Sequence, residues 1–199
     1  KDADVYFLAV NDDAVQEMAA ELPDNNKLIV HMSGSVNLDD LKKYSENYGV
    51  YYPLQTFSLG REINLKIVPI CIEANSKDNL AILNQLGQSI SEYVYEINSQ
   101  TRMKLHIAAL FACNFSNHMY ALAARLLENY NLPFDLLKPL IFETAAKVLY
   151  KKPVDAQTGP AIRGDHKIIE HHQSELEDEH LRNIYTEVTK SIEQFYSNK

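Results

Sequence analysis

Apolar positions along this chain follow two rhythms, and the change between them falls near residue 98. Before that point short apolar runs alternate with amphipathic stretches. Val5–Val10 is a continuous apolar run of the kind a strand covered on both faces shows. Asn11-Asp12-Asp13 opens a helix whose Ala14, Val15, Met18, Ala19 and Leu22 recur at helical spacing, and Pro23-Asp24-Asn25-Asn26 closes it. Residues 27–32 predict a second strand ending at Ser33-Gly34-Ser35. A short helix follows around 38–44, then strands over 49–54 and 67–74. A helix over 79–91 carries Leu80, Leu83, Leu86, Gly87 and Ile90 on one face, and 93–97 predicts a last strand. Such alternation predicts an α/β layer with a largely parallel sheet. Pro53 and Pro69 place the third and fourth strands toward an edge.

From Ser99 to Asn129 there is no Gly or Pro, and apolar residues occupy nearly the whole circumference. A helix apolar all round is expected to be buried. Residues 134–150 predict a second helix and 153–163 a polar loop. Asp165 is placed to cap a third helix toward Leu176, and 181–196 forms a fourth. The expected organisation is therefore an α/β portion, residues 1–98, followed by an all-helical portion, residues 99–199. Because the 99–129 helix needs more cover than a small bundle supplies, a homodimer through the helical portion is expected.

Charge and composition narrow the partners. The 199 residues are 46% hydrophobic and carry a net charge of -8. That balance tells against nucleic acid, which needs a basic face. The longest apolar stretch, residues 105–115, is too short to span a bilayer. Cys71 and Cys113 sit in apolar segments and are expected as small buried thiols, which suits a reducing, cytoplasmic setting.

Several polar clusters could carry chemistry. Asn114, Asn117 and His118 share one face of the long helix, as do Arg102 and His106, and Asn117 falls near the His106 face about three turns along. Buried without partners, each such group costs roughly 1–3 kcal/mol. A substrate cleft would answer them, and so would hydrogen bonds between helices. The loop 157–165 holds Thr158, Gly159, Arg163 and Gly164. Arg163 could grip a carboxylate or phosphate, or pair with Asp165. The strand ends His31-Met32-Ser33-Gly34-Ser35 and Tyr52-Pro53-Leu54-Gln55-Thr56-Phe57 lie where open parallel sheets bind ligands. His166, His171, His172 and His180 match no compact metal pattern, and no metal is expected. The six glycines make no G-x-G-x-x-G.

The run 105–115, the loop Thr158-Gly159-Pro160-Ala161-Ile162-Arg163-Gly164-Asp165 and the segment 52–57 together resemble one bacterial family. Its members join a Rossmann-like NAD(P)-binding domain to a C-terminal helical domain of unknown function, are deazaflavin-dependent NADP oxidoreductase-like, and are similar in layout to ketopantoate reductase and pyrroline-5-carboxylate reductase. The resemblance implies that Val5–Val10 is the fourth Rossmann strand, with the first three strands and the glycine-rich loop lying before Lys1. It implies that Asn11, His31, Ser33 and Gly34 border the nicotinamide of NADP or NAD. His106 and Asn114 match the position of catalytic residues on the first long helix, although Leu110 stands four residues before Asn114 where related dehydrogenases carry Lys. Tyr52 stands where many members have His. The implied activity is hydride transfer between a nicotinamide cofactor and a small carbonyl or imine substrate. His106 would serve as proton donor, Asn114, Asn117, His118, Thr158 and Gln55 would meet the substrate, and Arg163 would bind an anionic group. The alternative is a non-catalytic dimerisation or ligand-binding protein on the same fold.

Overall fold

A computed structural model describes residues 3–23 and 26–197. Part of the expected turn at 23–26, Asp24 and Asn25, lies outside the described residues, as do Lys1 and Asp2. The chain forms two compact units, Lys1–Asn117 and His118–Lys199.

The first unit is built on five strands: β1 (Val5–Leu8), β2 (Leu28–His31), β3 (Tyr48–Pro53), β4 (Ile70–Ala74) and β5 (Val94–Glu96). They lie in chain order across one sheet. β1, β2 and β3 are mutually parallel, β3 pairs antiparallel with β4, and β4 runs parallel to β5. Helix α1 (Val15–Ala20) follows β1, and α2 (Lys77–Ile90) follows β4. The two-residue period of the strands sorts side chains onto two faces. One face joins Leu28, Val30, Tyr51, Ile70 and Ile72 to Leu83 of α2. The other joins Leu8, Ile29 and Tyr48 to Val15, Ala19 and Leu41.

Two expectations about the sheet are corrected. β3 is central rather than near an edge. Pro53 is its last residue and Pro69 precedes β4, so neither proline removes a ladder donor from a strand interior. Instead the Pro69 carbonyl accepts from the Leu54 N–H at 2.8 Å. β1 is shorter than its apolar run and is not covered on both faces, since Phe7 and Val10 are exposed.

Residues 99–128 form one helical rod: α3 (Ser99–Ala109), a π-helical segment Leu110–Phe115, and α4 (Ser116–Glu128). The expected burial of this rod does not hold, because only Arg102 along it is buried. An apolar circumference needs neighbours on every side, and the chain itself supplies too few. After it come α5 (Lys138–Lys147), α6 (Pro153–Ala156), α7 (Pro160–Arg163), α8 (His166–Glu175) and α9 (Glu179–Tyr196). The stretch expected as a polar loop, 153–163, thus holds two one-turn helices, each started by a proline.

Candidate active site

Period two in β2, β3 and β4 puts His31, Val50 and Glu73 side by side across one face, with Cys71 beside Tyr52. The start of α3 lies over this row. The guanidinium of Arg102, 1% exposed, donates to Glu73 Oε2 at 2.6 Å, to the Val36 carbonyl, and to Ser99 Oγ at 3.1 Å. Ser99 Oγ in turn donates to Glu73 Oε2 at 2.6 Å and accepts from the Leu38 N–H at 2.9 Å. A buried cation needs such partners, and here both terminal nitrogens are bonded while Nε makes no hydrogen bond. The result pins α3 to the sheet and sets where the next turn, carrying His106, must fall.

His106 Nδ1 lies 3.2 Å from Tyr52 Oη at the end of β3. Gly34, in the turn after β2, lies directly behind the pair. A methyl group there would come within 2.6 Å of His106 Nδ1 and 2.9 Å of the Tyr52 ring. Only a residue without Cβ lets the imidazole and phenol meet. Burial holds the Tyr52 hydroxyl above the usual phenol range, aided by Cys71 and Asp12 and opposed by Arg102. The phenol therefore stays protonated at neutral pH and can donate to or accept from the imidazole.

Beside this contact the turn 33–35 is tied to the start of the first helical segment. Ser35 Oγ donates to the Asp12 carboxylate, and Ser33 Oγ accepts from the N–H groups of Ser35 at 3.0 Å and Val36 at 3.1 Å. Desolvation acts to raise the Asp12 pKa, but the Ser33 and Ser35 hydroxyls, with His106 and His31 nearby, outweigh it and hold the carboxyl below its ordinary range. His31 is fully buried, and its Nδ1 accepts from the Ser33 N–H at 3.2 Å. Burial first, then the Arg102 charge, push its pKa down to about 4, against a small opposing pull from the Asn37 carbonyl and Asp12. Nε2 of the ring makes no hydrogen bond of ordinary geometry. His31 is a neutral wedge that shapes the Ser33–Ser35 turn, and any bearing it has on a ligand passes through that turn.

A cavity of about 620 Å³ opens between the end of β3 and the rod. Tyr52, Gln55, Thr56, His106, Cys113 and Asn114 line it together with the apolar side chains of Leu105 and Leu110. His106, Leu110 and Asn114, four residues apart in turn, share this wall, and a π segment covers Leu110–Phe115. Within that segment the Phe111 carbonyl also accepts from the Ser116 side-chain hydroxyl at 3.0 Å. One inserted residue rotates everything beyond it by roughly 100°. That rotation is why Asn117, expected on the His106 face, is exposed and does not line the cavity, and why exposed His118 does not join Asn114 there.

The remaining sequence candidates separate. Asn11 is exposed at the end of β1 and makes no side-chain cap. Thr158 lines a different cavity, inside the helical unit. Arg163 is exposed and pairs with Asp165 at 2.9 Å, and the Asp165 side chain makes no capping bond although it stands at the N-cap of α8. Cys113 is half-buried rather than buried, and burial raises the Cys71 thiol. Among the described residues no three His, Cys, Asp or Glu side chains form a metal-binding group, and no helix is long and apolar enough to cross a membrane. Sequence reasoning missed Asp12, Glu73 and Ser99. Glu73 left a signal, a single carboxylate in the otherwise apolar stretch 67–74, because a charge in a central strand calls for a cation.

Residues 68–192 match the model of a family described as "Domain of unknown function (DUF2520)". A crystal structure from Bacteroides fragilis, named "putative NADP oxidoreductase", is 43% identical. It superposes with a TM-score of 0.91 over 96% of this chain and 76% of that one. A Thermotoga maritima protein is 23% identical at TM-score 0.80, covering 100% of this chain and 80% of its own. At the level of fold alone, 1-pyrroline-5-carboxylate reductase from Streptococcus pyogenes is similar at TM-score 0.59 and 12% identity, over 99% and 77% of the two chains. No curated protein sequence matches. A mostly parallel sheet, the helical region that follows it and the match over 68–192 together make the chain a member of the DUF2520 family, whose layout joins a Rossmann-like α/β part to an all-helical part.

Proposed function

We propose that this chain serves an NAD(P)-dependent oxidoreductase acting in the cytoplasm, which transfers a hydride between the nicotinamide and a small carbonyl or imine substrate. The observation that carries the reading is the Tyr52–His106 contact in the wall of the cavity after β3, assembled from three separate stretches of chain. The 43% identical Bacteroides fragilis protein, named as an NADP oxidoreductase, supports it. The two free thiols suit a reducing compartment.

The donor set at the carboxyl ends of β1 and β2 suits the nicotinamide end of the cofactor: Asn11 and the Ser33–Ser35 turn would hold its carboxamide and ribose hydroxyls. The glycines of this chain offer no cradle for the pyrophosphate. When bound, the nicotinamide supplies the hydride. The chain's own residues manage the proton. His106 donates from Nε2 to the substrate oxygen or nitrogen as negative charge develops there. The Nδ1 proton stays behind, accepted by Tyr52 Oη, which fixes the ring's orientation. Asn114 and Gln55 offer amide groups to orient the substrate, and the apolar wall of Leu105 and Leu110 keeps water away.

The test is NADPH and NADH oxidation by the whole protein with small 2-oxo acids and cyclic imines. His106→Ala is expected to lower kcat/KM by about 10²–10⁴-fold. Calorimetry showing no binding of either nucleotide at millimolar concentration would overturn the reading, as would a His106→Ala protein as active as wild type.

A further inference from the structure

Between β3 and β4 the chain runs out into a long loop, most of which the site described above does not use. Both ends are held: the Leu54 N–H donates to the Pro69 carbonyl at 2.8 Å, and the Glu92 N–H donates to the Lys66 carbonyl at 2.9 Å. Among the described residues, 57–63 form one hydrogen bond, from the Arg61 N–H to the Ser58 carbonyl at 3.3 Å. It closes a tight turn within the loop itself, and Gly60, at φ 76°, takes the left-handed place in it. Phe57 is 60% exposed and Leu59 is wholly exposed. Arg61 is exposed as well, and its guanidinium pairs with no acid among the described residues. A segment with so few buried contacts and no bonds to its surroundings moves with little loss of free energy.

This free stretch begins at the cavity wall. Gln55 and Thr56 line the cavity after β3, and Phe57 is the next residue. Arg61 lies five residues past Thr56, a reach of up to about 17 Å when extended, against roughly 11 Å across a round cavity of 620 Å³. The far wall, with Leu105, Ala108, Leu110 and Ala112, is apolar and suits Phe57 and Leu59. The lining holds neither Lys nor Arg, so an anionic substrate meets no permanent positive charge there. Arg163, expected to bind an anionic group, is held by Asp165. Arg61, beside the mouth and unpaired, supplies the missing charge.

We infer that residues 57–63 form a lid that closes over the cavity on a small substrate bearing a carboxylate. Arg61 takes the carboxylate through two parallel N–H···O bonds, while Phe57 and Leu59 settle against the apolar far wall and displace water. One guanidinium matches one planar monoanion, whereas the second charge of a phosphate group would go unanswered. The inference names a substrate class for the oxidoreductase reading and rests on that reading for the reaction, while closure itself is measured without turnover.

This chain has no tryptophan, so Leu59→Trp places a reporter on the lid tip, read as the emission gained over the unsubstituted protein. Oxamate, a small carboxylate that takes no hydride, serves as the probe, with NADP+ present. Oxamate is expected to move the emission to the blue and shield it from acrylamide, and neutral ethyl oxamate is not. No change at millimolar oxamate, an equal response to ethyl oxamate, or a stronger response to inorganic phosphate would overturn the proposal. Arg61→Gln is expected to raise the oxamate Kd by about 10–100-fold, and Arg61→Lys by less, with NADP+ binding and Tm unchanged. An unaltered Kd in Arg61→Gln would remove Arg61 from the site. Leu59→Cys asks whether the lid closes on its own chain. Mild oxidation in oxamate should link it to Cys113 of the cavity wall within one chain, and links formed only between two chains would overturn the lid. Neutral carbonyl compounds reduced as fast as the matching acids would defeat the lid and leave the oxidoreductase reading standing. Closure over oxamate by a protein that binds no nucleotide would support the lid and defeat that reading.

Discussion

The sheet unit and the helical unit are made from similar proportions of apolar residues and use them in opposite ways. In the first, Val15, Val30, Leu41, Val50 and Leu83 are sealed on two faces of one sheet, and even the polar His31 and Arg102 are enclosed. In the second, leucines and aromatics of equal size face outward. A sheet with helices against it closes its own core, because strands that alternate in direction of side chain offer two faces and the connecting helices cover both. A run of helices closes a core only when enough of them surround one another. The contrast teaches that apolar content says how much surface must be covered, and topology says whether the chain alone can cover it. The stability of the sheet unit should be its own, while that of the helical unit should depend on protein concentration.

Arg102→Ala gives the largest expected effect on that contrast. It leaves Glu73 without its cation and frees α3 from the sheet, at a cost of about 3–5 kcal/mol. Urea midpoints taken at two protein concentrations twenty-fold apart should show the same loss at both. A loss that shrinks at the higher concentration would mean the sheet unit also leans on a partner.

Acid comes next. His31 is neutral in the folded chain down to about pH 4, whereas the unfolded imidazole takes up its proton near 6.5. The unfolded state therefore binds more protons between these values, so this group's contribution is complete above about pH 6.5 and is lost as pH falls toward 4. The loss amounts to about 3 kcal/mol, since each pKa unit is worth about 1.36 kcal/mol. His31→Gln should flatten that part of the stability curve. Equal slopes for the two proteins between pH 6.5 and 4 would show that the imidazole is not sealed from water.

Smaller in stability, but sharper for the site, is Gly34→Ala. The added methyl group must push His106 off Tyr52, at about 1–3 kcal/mol. The imidazole resonances of His106 should shift while the melting of the helical unit stays unchanged. An alanine variant with unaltered His106 resonances would remove Gly34 from the site.

Much of this was legible along the chain. The strand–helix alternation up to residue 98, the presence of α2, α8 and α9 and the long rod after residue 98 follow from periodicity, because that signal is local, although α2 and α9 begin two residues before the expected 79 and 181. Asn98, Ser76 and Asp178 accept from the N–H groups of Thr101, Asn79 and Leu181 as helix-capping residues do. The convergence of Gln55, His106 and Asn114 on one cavity rests on strand ends and helix spacing that could be read in advance. Asn117 was expected on the His106 face and is not there, because one residue inserted by the π segment leaves no mark in the pattern of apolar residues. Arg102 and Glu73 were visible as separate charges, but their pairing links residues 29 apart in sequence and depends on which face of β4 the carboxylate takes.

By itself, then, the amino-acid order determined most of the elements and the family, because hydrophobic period and capping chemistry act within a few residues of each other. Only the tertiary structure decided that Tyr52, Gly34 and His106 would meet, that His31 would be sealed away, and that α5 would be left uncovered. Those outcomes depend on strand order, on the direction of β4 and on the count of helices available to pack, none of which any short stretch of chain encodes.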